Sequence, residues 1–199
     1  VQFDLGRDKE ALEAFDRALQ LDGTYAPALF GRGQVFYTQR KLRQALRMFE
    51  QATQYDANYV EAWNRRGNVL DELGDTRALQ SYERALSINP RLATAWSGKG
   101  GVLRQQRRYL EALKAYETAL AIDPNMALAW NGKGNTLYHL GRYAEALDAY
   151  NRALRLNPRS TAAWHNKSMV LNLMGRYNEA LDAAEEAIRL SPDDPDPVS

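Results

Sequence analysis

The sequence predicts an all-α solenoid of antiparallel helix pairs, and three observations predict it. Tryptophans recur at Trp63, Trp96, Trp130 and Trp164, spaced by 33, 34 and 34 residues, with Leu29 in the same place one unit earlier. A small residue follows each marker four places on, as Gly33, Gly67, Gly100, Gly134 and Ser168. Two alanines punctuate the second half of every unit: Ala45 and Ala52, Ala78 and Ala85, Ala112 and Ala119, Ala146 and Ala153, Ala180 and Ala187. Self-similarity at such a period marks stacked supersecondary units, each unable to bury its apolar face alone.

The stretch from Trp130 to Pro158 shows each element plainly. Its first helix carries Trp130, Gly134 and Leu137; Leu140-Gly141-Arg142 forms the turn, glycine being the usual residue just past a helix end. The second helix ends at Asn157, because a residue before proline avoids the α region. Pro90, Pro124 and Pro192 close other units, and Ala57 takes that place in the first. The second-helix stripe is clearest in Ala11, Leu12, Phe15, Ala18 and Leu19, one face of a helix of 3.6-residue period. Between the paired alanines stands an aromatic, Phe49, Tyr82, Tyr116 or Tyr150, with Ala184 in the last unit. A mid-helix glycine costs about 1 kcal/mol against alanine. Recurring at one register, it predicts a neighbouring helix too close for a side chain.

In order, a partial unit spans 1–25 with a second helix at 8–21 that lacks its partner. Whole units follow at 26–59, 60–92, 93–126, 127–160 and 161–192, with helical pairs at 26–56, 60–89, 93–123, 127–157 and 161–191. The unit at 60–92 is one residue short, reading LGDTRAL from Leu73 to Leu79. By register Val1 falls partway into a first helix, so the chain reads as a fragment of a longer protein. The acidic, proline-rich residues 193–199 are expected to be a linker or disordered.

This pattern, W-x3-G, then A-x3-[FY]-x2-A, then P, resembles the tetratricopeptide repeat family over roughly the entire chain. The resemblance implies a right-handed superhelical solenoid, with first helices lining a concave face and second helices outside. It implies a protein-interaction scaffold that binds a peptide or protein segment in the groove. The family's carboxylate clamp for chaperone tails is not reproduced, since Phe30 stands where its first lysine would.

Residues one, five and eight places after the marker would form the inward stripe: Phe30, Gln34 and Tyr37; Asn64, Asn68 and Asp71; Ser97, Gly101 and Arg104; Asn131, Asn135 and Tyr138; His165, Met169 and Asn172. Asn64 with Asn68, and Asn131 with Asn135, are amide pairs at i, i+4. Their donors and acceptors suit an extended backbone of any sequence. Gly98, Gly100 and Gly101 crowd one helix, and Gly98 and Gly101 are expected to leave bare backbone for a ligand to approach. A basic residue precedes each small seam residue: Arg32, Arg66, Lys99, Lys133, Lys167. The favoured reading is a long stem lying on the seam with its charge in water; the alternative is a cationic ladder for an acidic partner.

Composition bounds the rest. Twenty-six basic and twenty-five acidic residues give a net charge of +1, which argues against a nucleic-acid or anionic-membrane role. No apolar run spans a membrane. Cysteine is absent, which excludes disulfides and fits a cytoplasmic setting. His139 and His165 have no companion set for zinc, and no nucleophile has a base. Gly98-Lys99-Gly100-Gly101 lacks phosphate-loop spacing. The chain reads as non-enzymatic, without cofactor or metal. Its competing functions are a groove-bound polypeptide scaffold, self-association through uncapped solenoid ends, and, remotely, a helical-repeat RNA binder.

Overall fold

A computed structural model describes residues 5–190, with side chains from residue 8 onward. Residues 1–4 and 191–199, the acidic tail included, lie outside the described residues. Among the described residues there are eleven helices and no strand: α1 (Leu5–Leu21), α2 (Ala26–Thr38), α3 (Leu42–Tyr55), α4 (Val60–Glu72), α5 (Ala78–Ile88), α6 (Ala93–Gln105), α7 (Tyr109–Ile122), α8 (Ala127–His139), α9 (Tyr143–Leu156), α10 (Thr161–Leu173) and α11 (Tyr177–Leu190). The chain divides into two compact units, residues 1–98 and 99–199. In the first, α2 packs antiparallel on α3 and α4 on α5. In the second, α8 packs on α9 and α10 on α11.

The small residues work as seats for aromatic rings. A Cβ built on Gly33 would meet the Phe49 ring at 2.6 Å, one on Gly67 the Tyr82 ring at 2.7 Å, and one on Gly134 the Tyr150 ring at 2.5 Å. Each ring belongs to the second helix of the same pair, and Phe49, Tyr82 and Tyr150 are almost wholly buried. A second seat lies two residues earlier, on the first helix that follows. A Cβ on Gly31 would overlap the Phe15 ring, one on Gly98 the Tyr82 ring, and one on Gly132 would meet the Tyr116 ring at 2.5 Å. One ring therefore joins its own pair to the next helix. Gly98 is thus a correction to the sequence reading: its missing side chain makes room for Tyr82, not for a ligand. Gly101 differs, since a Cβ there meets only ordinary contact with the Tyr116 hydroxyl at 3.7 Å.

The tryptophans fasten loops. Each indole Nε1–H donates to the carbonyl six residues earlier: Trp63 to Ala57 at 3.0 Å, Trp96 to Pro90 at 2.8 Å, Trp130 to Pro124 at 2.8 Å, Trp164 to Pro158 at 2.9 Å. The loop is also held from its other end. Asp56, Asn89, Asp123 and Asn157 are C-caps, the first three extended, whose side chains accept a backbone N–H two residues on, at 2.9, 3.0, 2.9 and 3.2 Å. Asp56 takes this conformation before Ala57, so the Asx turn ends the helix where proline is missing.

First helices end in one recurring motif. At Gly141 the N–H donates to Tyr138 O at 3.0 Å and the next N–H, of Arg142, to Leu137 O at 2.9 Å, which is the Schellman arrangement. Gly74, Gly141 and Gly175 supply its left-handed residue with φ of 68°, 73° and 73°. Arg40 and Arg107 stand in the same register with φ of 59°. In the short unit the missing residue falls in the turn, and α5 has 11 residues where α3 has 14. Asp75 closes that turn by accepting the Arg77 N–H at 2.9 Å and its guanidinium at 2.8 Å.

Three measurements check this packing. Gly98→Ala should lower stability by about 1–2 kcal/mol by overpacking Tyr82, whereas Gly101→Ala should raise it by up to about 1 kcal/mol through helix propensity; urea unfolding reads both. Arg107→Gly should stabilise by about 1 kcal/mol by relieving left-handed strain, again read by urea midpoint. The Asp75 carboxyl is lowered to about 2, chiefly by its bonds to Arg77. Its contribution is therefore complete above about pH 4 and is lost as pH falls through about 2. Asp75→Asn should flatten the acid limb of thermal stability in that window.

Candidate polypeptide-binding face

The inward-stripe residues sit on the first helices of both units. In the first unit, Phe30 is half-buried and serves the core, its ring 5.6 Å from Phe49 and 5.0 Å from Tyr59. Gln34 and Ser97 are half-buried. The Tyr37 hydroxyl donates to the Glu72 carboxylate, which also holds Arg40 at 2.8 Å, and burial with Glu72 pushes the Tyr37 phenol above its ordinary range. Asn64 is buried, donates to Thr94 Oγ1 at 3.2 Å, and keeps its Oδ1 without a partner. Asp71 is half-buried and engaged. The Asn64–Asn68 pair is thus split: one amide is inside the helix packing and the other is half-exposed.

Asn68 and Asn135 share a device that the sequence reading missed. Asn68 Oδ1 accepts from the Tyr82 hydroxyl at 2.9 Å, and Asn135 Oδ1 accepts from the Tyr150 hydroxyl at 2.7 Å. Both asparagines are half-exposed, and neither Nδ2 donates a hydrogen bond among the described residues. The tyrosine pins the oxygen, so the carboxamide is held in one orientation with its two N–H donors left over. Register carries part of the signal: asparagine pairs with tyrosine at 68 and 82 and at 135 and 150, while Tyr116 has Gly101 in that place. Where the second-helix aromatic is Phe49 the first helix has Gln34, and where it is Ala184 the first helix has Met169.

In the second unit Asn131 Oδ1 accepts from Asn166 Nδ2 at 3.1 Å. Tyr138 lies edge-on to His139 at 5.4 Å and 6.0 Å from Tyr143, and His139 stacks on Tyr109 at 4.9 Å. Burial lowers the His139 pKa, helped by Arg104 and Arg107. Arg104 is half-buried with its Nε shielded and unbonded. Gly101 and His165 are half-buried, while Met169 and Asn172 are exposed. A patch of amide, aromatic and cationic groups therefore runs along α8 and the end of α6. Metal-binding chemistry does not accompany it: among the described residues no group of three or more His, Cys, Asp or Glu could hold a metal ion.

The basic row follows the favoured expectation in its stems and departs from it in its charges. The stems do lie on the seam, Arg66 over Trp63 at 5.2 Å, Lys133 over Trp130 at 5.6 Å and Lys167 over Trp164 at 4.9 Å. The charges, however, reach acids on the preceding second helix: Arg32 to Asp16 at 3.1 Å, Arg66 to Glu50 at 3.7 Å, Lys133 to Glu117 at 3.1 Å. These three ion pairs tie each first helix to the second helix before it.

Paired helices, seated rings and looped indoles define a helical-repeat protein. Tetratricopeptide repeat models match residues 30–76, 76–127, 103–161 and 131–195, and a related repeat model matches 1–40. The chain belongs to the tetratricopeptide repeat family. Among solved structures it is similar to YrrB, described as a repeat protein with an unusual peptide-binding site, at 23% identity over 92% of this chain and 94% of that one, TM-score 0.71. It is similar to PilF of Pseudomonas aeruginosa at 19% identity, covering 95% and 86% with TM-score 0.83. It is also similar to the Cut9–Hcn1 hetero-tetramer structure at 18% identity, covering 96% of this chain and 38% of that one, TM-score 0.85. These likenesses are of fold. No curated protein sequence gives a significant match. No helix among the described residues is long and apolar enough to cross a membrane.

Replacing Tyr150 with Phe should cost about 1 kcal/mol, the worth of one buried hydrogen bond. It should also free Asn135, seen as a loss of dispersion in its side-chain amide NMR signals.

Proposed function

We propose that this chain is a protein-interaction scaffold and that, within each unit, first helices hold a polypeptide segment against an amide-bearing face. The observation that carries the reading is the pair Asn68 and Asn135, each with its oxygen occupied by a buried tyrosine and its N–H donors unspent. A preset amide loses little entropy on binding, so it donates to a ligand carbonyl at low cost. Main-chain carbonyls of an extended segment present such acceptors regardless of side chain. In the second unit, Tyr138, three residues on from Asn135 along α8, adds an aromatic surface, and Arg104 at the end of α6 adds a cation, which favours segments carrying apolar and acidic residues. YrrB, a repeat protein described by its peptide-binding site, supports the same class of ligand.

The test is selection of peptides from a random display library on the 199-residue chain, followed by affinity measurement on variants. Asn135→Ala should weaken selected peptides about tenfold, the loss of roughly 1–1.5 kcal/mol for one hydrogen bond. Circular dichroism should stay unchanged. Peptides whose binding ignores both Asn68→Ala and Asn135→Ala would remove this face from the proposal.

A further inference from the structure

In the first unit, a cleft of about 330 Å³ opens between the two helices of the pair α2 and α3, lined by Arg32, Phe36, Arg43, Gln44, Arg47 and Met48. Three arginines and no acid surround an apolar floor. The Arg32 guanidinium lies 5.9 Å from the centre of the Phe36 ring. Its one acidic contact is Asp16 at 3.1 Å, and its Nε–H is shielded from solvent without a hydrogen bond. Arg43 and Arg47 are exposed, one turn apart on α3, and make no ion pair among the described residues.

The same place in the second unit provides a comparison within one chain. There the cleft is lined by Trp130, Lys133, Leu137, Glu145, Asp148, Ala149 and Arg152, a balanced set of charges. By register Gln44 stands for Glu145 and Arg47 for Asp148. The glutamate is a regular part of the repeat. Glu111, Glu145 and Glu179 each hold an arginine three residues earlier, at 2.7, 2.6 and 2.7 Å. The first pair lacks that acid and adds arginines at 43 and 47, so Arg43 and Arg47 stand without an acid of their own beside Arg32, whose charge is shared with Asp16. Side chains so arranged repel one another until an anion binds.

We infer that this cleft is a binding site for a phosphorylated side chain of a partner polypeptide, with phosphotyrosine the carrier that fits it. Arginine, unlike lysine, offers a planar fork that matches phosphoryl oxygens two at a time. Phe36 and Met48 give an aromatic carrier a surface to lie on. The cleft is an open, local feature of one helix pair, and the chain's net charge is only +1, so a lone dianion suits it better than a nucleic-acid backbone.

Phenyl phosphate is the probe, titrated into the 199-residue chain while the arginine Nε–H signals are followed by NMR. Saturable shifts at Arg32, Arg43 and Arg47 are expected, with inorganic phosphate binding at least about threefold more weakly because it cannot use the floor. Arg47→Asp copies the residue at 148, so the helix tolerates it, and it should weaken phenyl phosphate at least about tenfold. Shifts that fail to saturate, or equal affinity for inorganic phosphate, overturn the assignment. So does binding of an oligonucleotide or of phosphatidylserine vesicles through these arginines at concentrations where phenyl phosphate leaves them unmoved.

Discussion

Everything in this fold depends on a ring placed where two helices offer no side chain. Tyr82 sits against Gly67 of its own pair and Gly98 of the following helix, and Tyr116 against Gly100 and Gly132. Each close approach puts the ring in contact with backbone on both sides, and a large aromatic surface leaves water. The glycines cost helix propensity, about 1 kcal/mol each, and the ring offsets that cost by closing two interfaces at once. In three places the basic residue beside a seat ties to the acid beside a ring: Arg32 to Asp16, Arg66 to Glu50 and Lys133 to Glu117. Packing sets the separation of helices and the ion pairs trim their register.

The binding face inherits its chemistry from the same rings. A phenylalanine would fill the seat as well as a tyrosine, as Phe49 shows. What tyrosine adds is a hydroxyl at the far edge of the ring, and Asn68 and Asn135 are where that hydroxyl ends. A buried core residue thereby presets a half-exposed one. In the first pair, with Phe49 and Gln34, no such link exists, and the surface chemistry there is carried by the arginines of the α2–α3 cleft.

Most of the architecture was legible because its causes are local and periodic. The tryptophans, seam residues and alanines announce themselves by spacing, and helix ends follow from Gly141 or Pro158. What escaped was pairing between distant residues. Gly98 reads in sequence as exposed backbone because its partner, Tyr82, lies sixteen positions away and belongs to another helix of the stack. Asn64 and Asn68 share one helical stripe, yet Thr94 draws the first inward and Tyr82 leaves the second half-exposed. The left-handed corners at Arg40 and Arg107 were hidden because arginine carries no sign of positive φ. Only their alignment with Gly74, Gly141 and Gly175 gives them away.

The indole bonds have an optical consequence. Each of the four rings is clasped to its own loop, so its fluorescence reports whether that loop is closed, independently of the others. The repeat at 26–59, with Leu29 in the tryptophan's place, emits nothing from this position. Chains keeping a single tryptophan would show separately when each hairpin loosens, and so distinguish an array that melts all at once from one that frays unit by unit.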